Sequence, residues 1–227
     1  MAHCSWYAAT SGRSCSSASR EQCWLTFRSS ADCLRHPLIS NIRPPKTPVP
    51  VHVAFLRAIN VTGRFIKMSA LAEHFRTLGH DDAKTYINSG NVIFTARSRS
   101  SQKLATAVEV GLAPLLGFTS EVFIRTAAEV EAVAARALHL REQVPQSGEV
   151  NVAFLREPLT PAQSGELALL RSSLDDFVHE GAQVYWLCQG RQMESKFSNA
   201  VLERRLRLRT TFRRVSMLQG LAAELRR

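Results

Sequence analysis

Three polar runs in this 227-residue sequence carry residue types that can bind an anion. Arg57-Ala58-Ile59-Asn60 follows an apolar run and puts a guanidinium and an amide at a strand end, where many α/β folds hold ligands. The same two side chains would serve equally as a strand-end ion pair and a turn asparagine bonding its own backbone. Asn88-Ser89-Gly90-Asn91 has the composition of a hairpin turn, rich in residues that tolerate positive φ. Read functionally, Ser89 and Asn91 donate hydrogen bonds to a polar ligand; read structurally, they shape the turn. Ser89 has no assignable histidine or lysine partner, so it is not read as a nucleophile, which needs an activating base. Ser195-Lys196-Phe197-Ser198-Asn199 is the sharpest run. Ser195 or Ser198 can cap a following helix whose free N–H groups and positive dipole end attract phosphate or carboxylate, with Lys196 adding a mobile charge. The plainer reading is an N-cap beside a solvated lysine. The candidate ligand-binding set is therefore Arg57, Asn60, Ser89, Asn91, Lys196, Ser198 and Asn199, provided these residues converge in space.

Several chemistries are excluded or weakened. No G-x-x-x-x-G-K-[ST] loop is present, so a P-loop nucleotide site is ruled out. His52, His74, His80, His139 and His179 lack H-x-x-x-H and H-E-x-x-H spacing, and no metal or cofactor is expected. Asp81-Asp82 and Asp175-Asp176 read as turn residues before strands. The run Glu203-Arg204-Arg205-Leu206-Arg207-Leu208-Arg209 can contact phosphates or be a solvated basic helix.

The formal charge of +10 is uneven: +4 over residues 1–50, −1 over 51–188 and +7 over 189–227. A basic carboxyl-terminal region admits an anionic small molecule or nucleic acid as partner. No stretch of about 18 apolar residues occurs, so no membrane span is expected. Four of the five cysteines (Cys4, Cys15, Cys23, Cys33) precede residue 34 with no C-x-x-C pair, and Cys188 stands alone after Val184-Tyr185-Trp186-Leu187. One cysteine in the body fits a reducing, cytoplasmic setting, with Cys188 a small strand residue.

Residues 1–50 show no sustained period and end in Arg43-Pro44-Pro45-Lys46-Thr47-Pro48-Val49-Pro50, the composition of an extended linker. A dispensable or mispredicted extension, a transit peptide and a cysteine module are the three readings, in that order.

The body is a repeat. Val51-His52-Val53-Ala54-Phe55-Leu56-Arg57 recurs as Val150-Asn151-Val152-Ala153-Phe154-Leu155-Arg156. Phe55 and Phe154 share a face with flanking valines, which points to burial rather than to exposed base-stacking platforms. In the first half, a helix over 68–78 with Ser69 as N-cap, a hairpin around Asn88–Asn91, a helix over 101–116 and a strand over 121–125 complete a β-α-β-β-α-β order. Thr126-Ala127-Ala128-Glu129 is a capping box opening a linking helix. The second half repeats the order. A capped helix at Thr160-Pro161 carries Leu167, Leu170 and Leu174, and a hairpin turns at Gly181. A helix lies near 197–207 and a strand near 210–215, and a last helix runs through Leu225. The expected fold is α+β: residues 51–126 and 149–227 as two tandem ferredoxin-like units packed into one body, joined by a helix and loop over 127–148.

Three blocks resemble a known family. Leu56-Arg57-Ala58-Ile59-Asn60-Val61-Thr62-Gly63 is similar to an L-R-G-I-N-V-G-G signature. Thr85 to Phe94 is similar to T-Y-x-x-S-G-N-V-x-F, and Ser195 to Asn199 to S-K-x-S-N. Together they resemble the domain of unknown function 1697, over residues 51–226. The resemblance implies a duplicated ferredoxin-like fold, mostly bacterial members and no established activity. Ala58 and Thr62 stand where the signature has glycines, and Thr210-Thr211-Phe212-Arg213-Arg214-Val215 stands where the family has an R-N-W-type segment. The expected function is binding of an anionic ligand, a nucleotide or nucleic-acid phosphate. An enzyme acting on a small phosphorylated or carboxylated substrate and a protein-interaction module are the alternatives.

Overall fold

The computed structural model describes residues 48–60 and 65–227. The amino-terminal extension and the Val61–Gly63 part of the first signature lie outside the described residues.

Strand β1 (Val51–Leu56) shows the principle of the whole body. Successive side chains point to opposite faces of a sheet. Val53 and Phe55 enter one buried cluster, Ala54 and Leu56 another. A strand buried on both faces needs cover on both, which accounts for its continuous apolar run. The first half continues through helix α1 (Met68–Thr77), strands β2 (Lys84–Tyr86) and β3 (Asn91–Thr95), helix α2 (Ser101–Leu116) and strand β4 (Val122–Thr126). Helix α3 (Ala127–Arg141) leads to β5 (Glu149–Phe154), α4 (Pro161–Ala168), β6 (Asp175–Glu180), β7 (Gln183–Cys188), α5 (Asn199–Leu206), β8 (Thr211–Arg214) and α6 (Val215–Leu225).

These strands make two four-stranded antiparallel sheets, ordered β2-β3-β1-β4 and β6-β7-β5-β8. The repeat is thus one of topology as well as sequence, with identical strand order in each half. Val53 pairs with Arg125 in β4 as Val152 pairs with Arg213 in β8, so the registers correspond.

Helices α1 and α2 cover the outer face of the first sheet; α4 and α5 cover that of the second. The inner faces share one cluster with α3 and α6. Helix α6 follows the second sheet yet packs on the first: a Cβ at Gly220 would lie 2.3 Å from the Tyr86 hydroxyl, and Lys84 pairs with Glu224 at 2.7 Å. Helix α3 follows the first sheet and reaches the second, where Arg136 pairs with Glu180 at 2.7 Å. Each half therefore lends its last helix to the other's sheet. At the centre Phe55 and Phe154 stack, ring centroids 4.3 Å apart and 11° from parallel.

Some local expectations move. Helix α1 begins at Met68 after Lys67, with no side-chain cap, so Ser69 is not its N-cap; Lys67 already has the extended backbone that precedes a helix. Helix α4 keeps its capping box but stops at Ala168, short of Leu170 and Leu174, because the chain must turn to enter β6 at Asp175. Ser198, not Ser195, caps α5.

Candidate functional site

The last strand of each half carries an arginine at the corresponding register position, Arg125 after the apolar run Val122-Phe123-Ile124 and Arg213 after Thr211-Phe212, and both are buried. Arg213 donates from Nε to Asn91 Oδ1 at 2.6 Å, from Nη1 to Thr211 Oγ1 and the Phe212 carbonyl, and from Nη2 to the Leu56 and Ser89 carbonyls. Arg125 donates from Nη1 to the Ile124 carbonyl and from Nη2 to those of Leu155 and Ala182. Each thus bonds its own strand and then the first strand and hairpin turn of the opposite half. Each also lies over the opposite half's phenylalanine, Arg213 over Phe55 and Arg125 over Phe154, 5.4 Å from the centroid in both cases. Among the described residues, neither guanidinium is bonded to a carboxylate. Burial pulls both below the ordinary arginine range, Arg213 to about 10.

The repeated arginines at the ends of β1 and β5 are also used across the halves. Arg57 makes a bidentate pair with Glu203 of α5, at 2.8 and 2.7 Å. Arg156 pairs with Glu109 of α2. Glu203 accepts from the Thr210 N–H as Glu109 accepts from the Val122 N–H. Two equivalent clasps therefore hold the halves together.

The ends differ in what surrounds the clasps. Helix α2 begins eight residues before Glu109, whereas α5 begins four before Glu203. At the Arg156 end that extra turn, with Ser101 and Gln102, leaves only about 60 Å³ beside Val122, Phe123 and Ile124. At the Arg57 end the turn is missing, and a cleft of about 340 Å³ opens. Thr210 and Thr211 stand in register where the other half has Val122 and Phe123. Ser89, Asn199 and Arg57 join them, with Arg213 as the floor.

Among the seven residues singled out from sequence, Arg57, Ser89 and Asn199 line this cleft. Asn91 lies beneath it, fully buried, donating to the Tyr86 carbonyl and Ser89 Oγ while holding Arg213. Asn60 pins the cleft's two loops together, donating to the Asn88 carbonyl at 3.2 Å and accepting from the Ile66 N–H. Ser198 caps α5 by accepting from the Val201 N–H. Lys196 does not join them: it lines a separate cavity with Ser172, Asp175 and Glu194 that shares no residue with the cleft. The reason lies in Ser195, which donates to Asp175 Oδ1 at 2.7 Å and accepts from the Phe197 N–H, turning the preceding loop toward β6. Asp175 is no free turn residue either; it is buried and also accepts from Trp186 Nε1.

Sequence reasoning missed Arg213, Arg125, Glu203 and Thr210. A lone arginine closing the apolar run Val122-Phe123-Ile124, matched by Arg213 in the second copy, was the available signal.

The family model described as "Protein of unknown function (DUF1697)" matches residues 49–185. The chain belongs to this family. DUF1697 similarity extends to a solved structure, that of the conserved bacterial protein SP0830 from Streptococcus pneumoniae. It is 21% identical, with a TM-score of 0.60, covering 79% of this chain and all of that one, a likeness of fold. No curated protein matches the sequence. In this DUF1697 chain the backbone shows why the signature glycine precedes Ile59: Ala58 sits there at φ 56°, with Asn60 at φ 57° and Ile87 at φ 47° in the facing turn. Left-handed backbone costs a side-chain-bearing residue about 1–2 kcal/mol, and strain of this kind collects at ligand sites. Gly90, at φ 67°, is required twice over, because a Cβ would lie 3.1 Å from that of Ile59. Among the described residues no helix is long and apolar enough to cross a membrane, and no cluster of His, Cys, Asp or Glu could hold a metal ion.

Glu203 carries a pH signature. Burial pushes its carboxyl up, but Arg57, the Thr210 N–H and Arg209 outweigh that and hold it below the usual range. A depressed folded pKa stabilises above the unfolded value of about 4.3 and is lost as pH falls through the folded value. Urea midpoints should therefore drop between about pH 5 and pH 3, and Glu203→Gln should remove part of that dependence while lowering the midpoint at pH 7.

Proposed function

We propose that the protein binds a small organic anion, a carboxylate or phosphate with an apolar body, in the cleft between Arg57, Ser89, Asn199 and Arg213. We read the two halves as ferredoxin-like units serving as the scaffold for this single site. The observation that carries the reading is the inequality of two equivalent places. The clasps occur at both ends, so they account for the fold; the room and the threonine hydroxyls occur only at the Arg57 end.

The chemistry suits an anion. Ser89 Oγ accepts from Asn91 Nδ2 and Thr211 Oγ1 accepts from Arg213 Nη1, so each hydroxyl keeps its own proton to donate. They stand beside a guanidinium that is not bonded to a carboxylate. A desolvated cation with oriented donors favours a negative group more strongly than either would in water. Leu56, Ala58, Ile59 and Phe212 supply the apolar wall. A volume of about 340 Å³ suits a small metabolite at the lower end of ligand pockets.

The test is thermal unfolding of the full chain with acetate, succinate, benzoate and inorganic phosphate. Ligand at a hundred times its Kd adds about 2.7 kcal/mol to native stability, a rise of several degrees in Tm. The triple variant Ser89→Ala, Asn199→Ala, Thr210→Val, which gives the last two positions the other half's residues, should lose that rise. Absence of a rise with every anion, or a rise undiminished in the triple variant, would sink this reading.

A further inference from the structure

Beyond the cleft, α5 ends in a second basic feature that the anion reading does not use. Arg204 and Arg207 are exposed and, among the described residues, form no ion pair with an acid. Both line an open basin of about 590 Å³ that continues from Arg57 to Arg209, and both line a second basin of about 600 Å³ on the other side, beside Gln163 and Arg205. A concave basic track thus runs around the carboxyl end of the helix. Arg209 is 62% exposed at the side chain and reaches Glu203 at 3.4 Å and Glu121 at 3.7 Å, long pairs that leave it able to turn to a stronger acceptor.

Arg207 adds an independent observation. It occupies the left-handed C-cap of α5, at φ 53° and ψ 44°. Glycine is the residue usually found at a left-handed helix end, because it carries no Cβ penalty. An arginine held in that conformation keeps its charge at a cost in backbone strain, and strain of this kind marks functional positions.

We propose that the track around the end of α5 binds the phosphate backbone of single-stranded nucleic acid through Arg204, Arg207 and Arg209. Three features choose this partner. The cations of the track are all arginines, whose planar forks match phosphate oxygens. The two basins share Arg204 and Arg207, so one flexible strand can pass from the first to the second. Among the described residues no aromatic side chain lines either basin, so stacking adds no base preference and recognition is indifferent to sequence. The inference is independent of the cleft.

The experiment is fluorescence anisotropy of a labelled mixed-sequence 20-nucleotide single strand with the full chain, from 25 to 200 mM salt. Three phosphate contacts give a slope of log K against log salt on the order of −2. Arg204→Glu with Arg207→Glu should weaken binding at least tenfold and flatten the slope, while Arg226→Glu with Arg227→Glu, a reversal elsewhere on the chain, should change it little. Arg207→Gly separates binding from folding: it should raise the melting temperature and weaken binding. Binding that is absent at 25 mM salt, or equal in wild type and the Arg204→Glu, Arg207→Glu variant, overturns the proposal. So does co-sedimentation with phosphatidylserine vesicles in the absence of oligonucleotide binding, which would make the track a lipid surface.

Discussion

Arg213→Leu should lower the free energy of unfolding by about 3–5 kcal/mol, measured by urea denaturation at pH 7. Five acceptors lose a donor at once: Asn91 Oδ1, Thr211 Oγ1 and the carbonyls of Phe212, Leu56 and Ser89. Each buried acceptor left without a partner costs about 1–3 kcal/mol. The gain from no longer burying a charge, the same burial that brings this arginine down to about 10, offsets part of the sum and keeps the net within that range. Arg125→Leu should cost less, because three acceptors are left rather than five. A larger loss at Arg125 than at Arg213 would contradict the account of the two buried arginines as equivalent positions that satisfy different numbers of acceptors.

Phe154→Ala should cost about 3–5 kcal/mol, as other buried aromatic truncations do. Phe154 is fully buried, stacks on Phe55 and carries Arg125 on its other contact. Phe55→Ala should cost about the same, since Phe55 holds the corresponding position with Arg213. The double variant should cost less than the sum of the singles by about 0.5–1.5 kcal/mol, because the stacked pair is lost in each single variant. Strict additivity in that cycle would show that the rings do not support one another.

The elements were largely legible because their signals are local. Helix α2 and the capping boxes at Thr126 and Thr160 follow from spacing and cap chemistry, and the seven-residue repeat announces the duplication. The candidate site was legible in part. Arg57, Ser89 and Asn199 come together, but Arg57 is engaged by Glu203, 146 residues away in sequence. No local pattern encodes that pairing. Lys196 was misplaced because its own cap cues are identical whether the preceding loop turns toward the cleft or, through Asp175, away from it. Arg213 was passed over because a basic residue in a charged segment looks solvated until the other half closes over it.

The sharing of α3 and α6 between the sheets has a kinetic and thermodynamic consequence. Neither half holds a finished core: each lacks the helix, the arginine and the aromatic that the other contributes. A single unfolding transition follows, with a denaturant slope set by the whole body rather than by either part. The cleft inherits this property, because its walls come from both halves. Opening it by a hinge would tear the aromatic stack and both clasps, so the cavity is preorganised, and the anion proposed for it would meet an already formed shape without a closing motion.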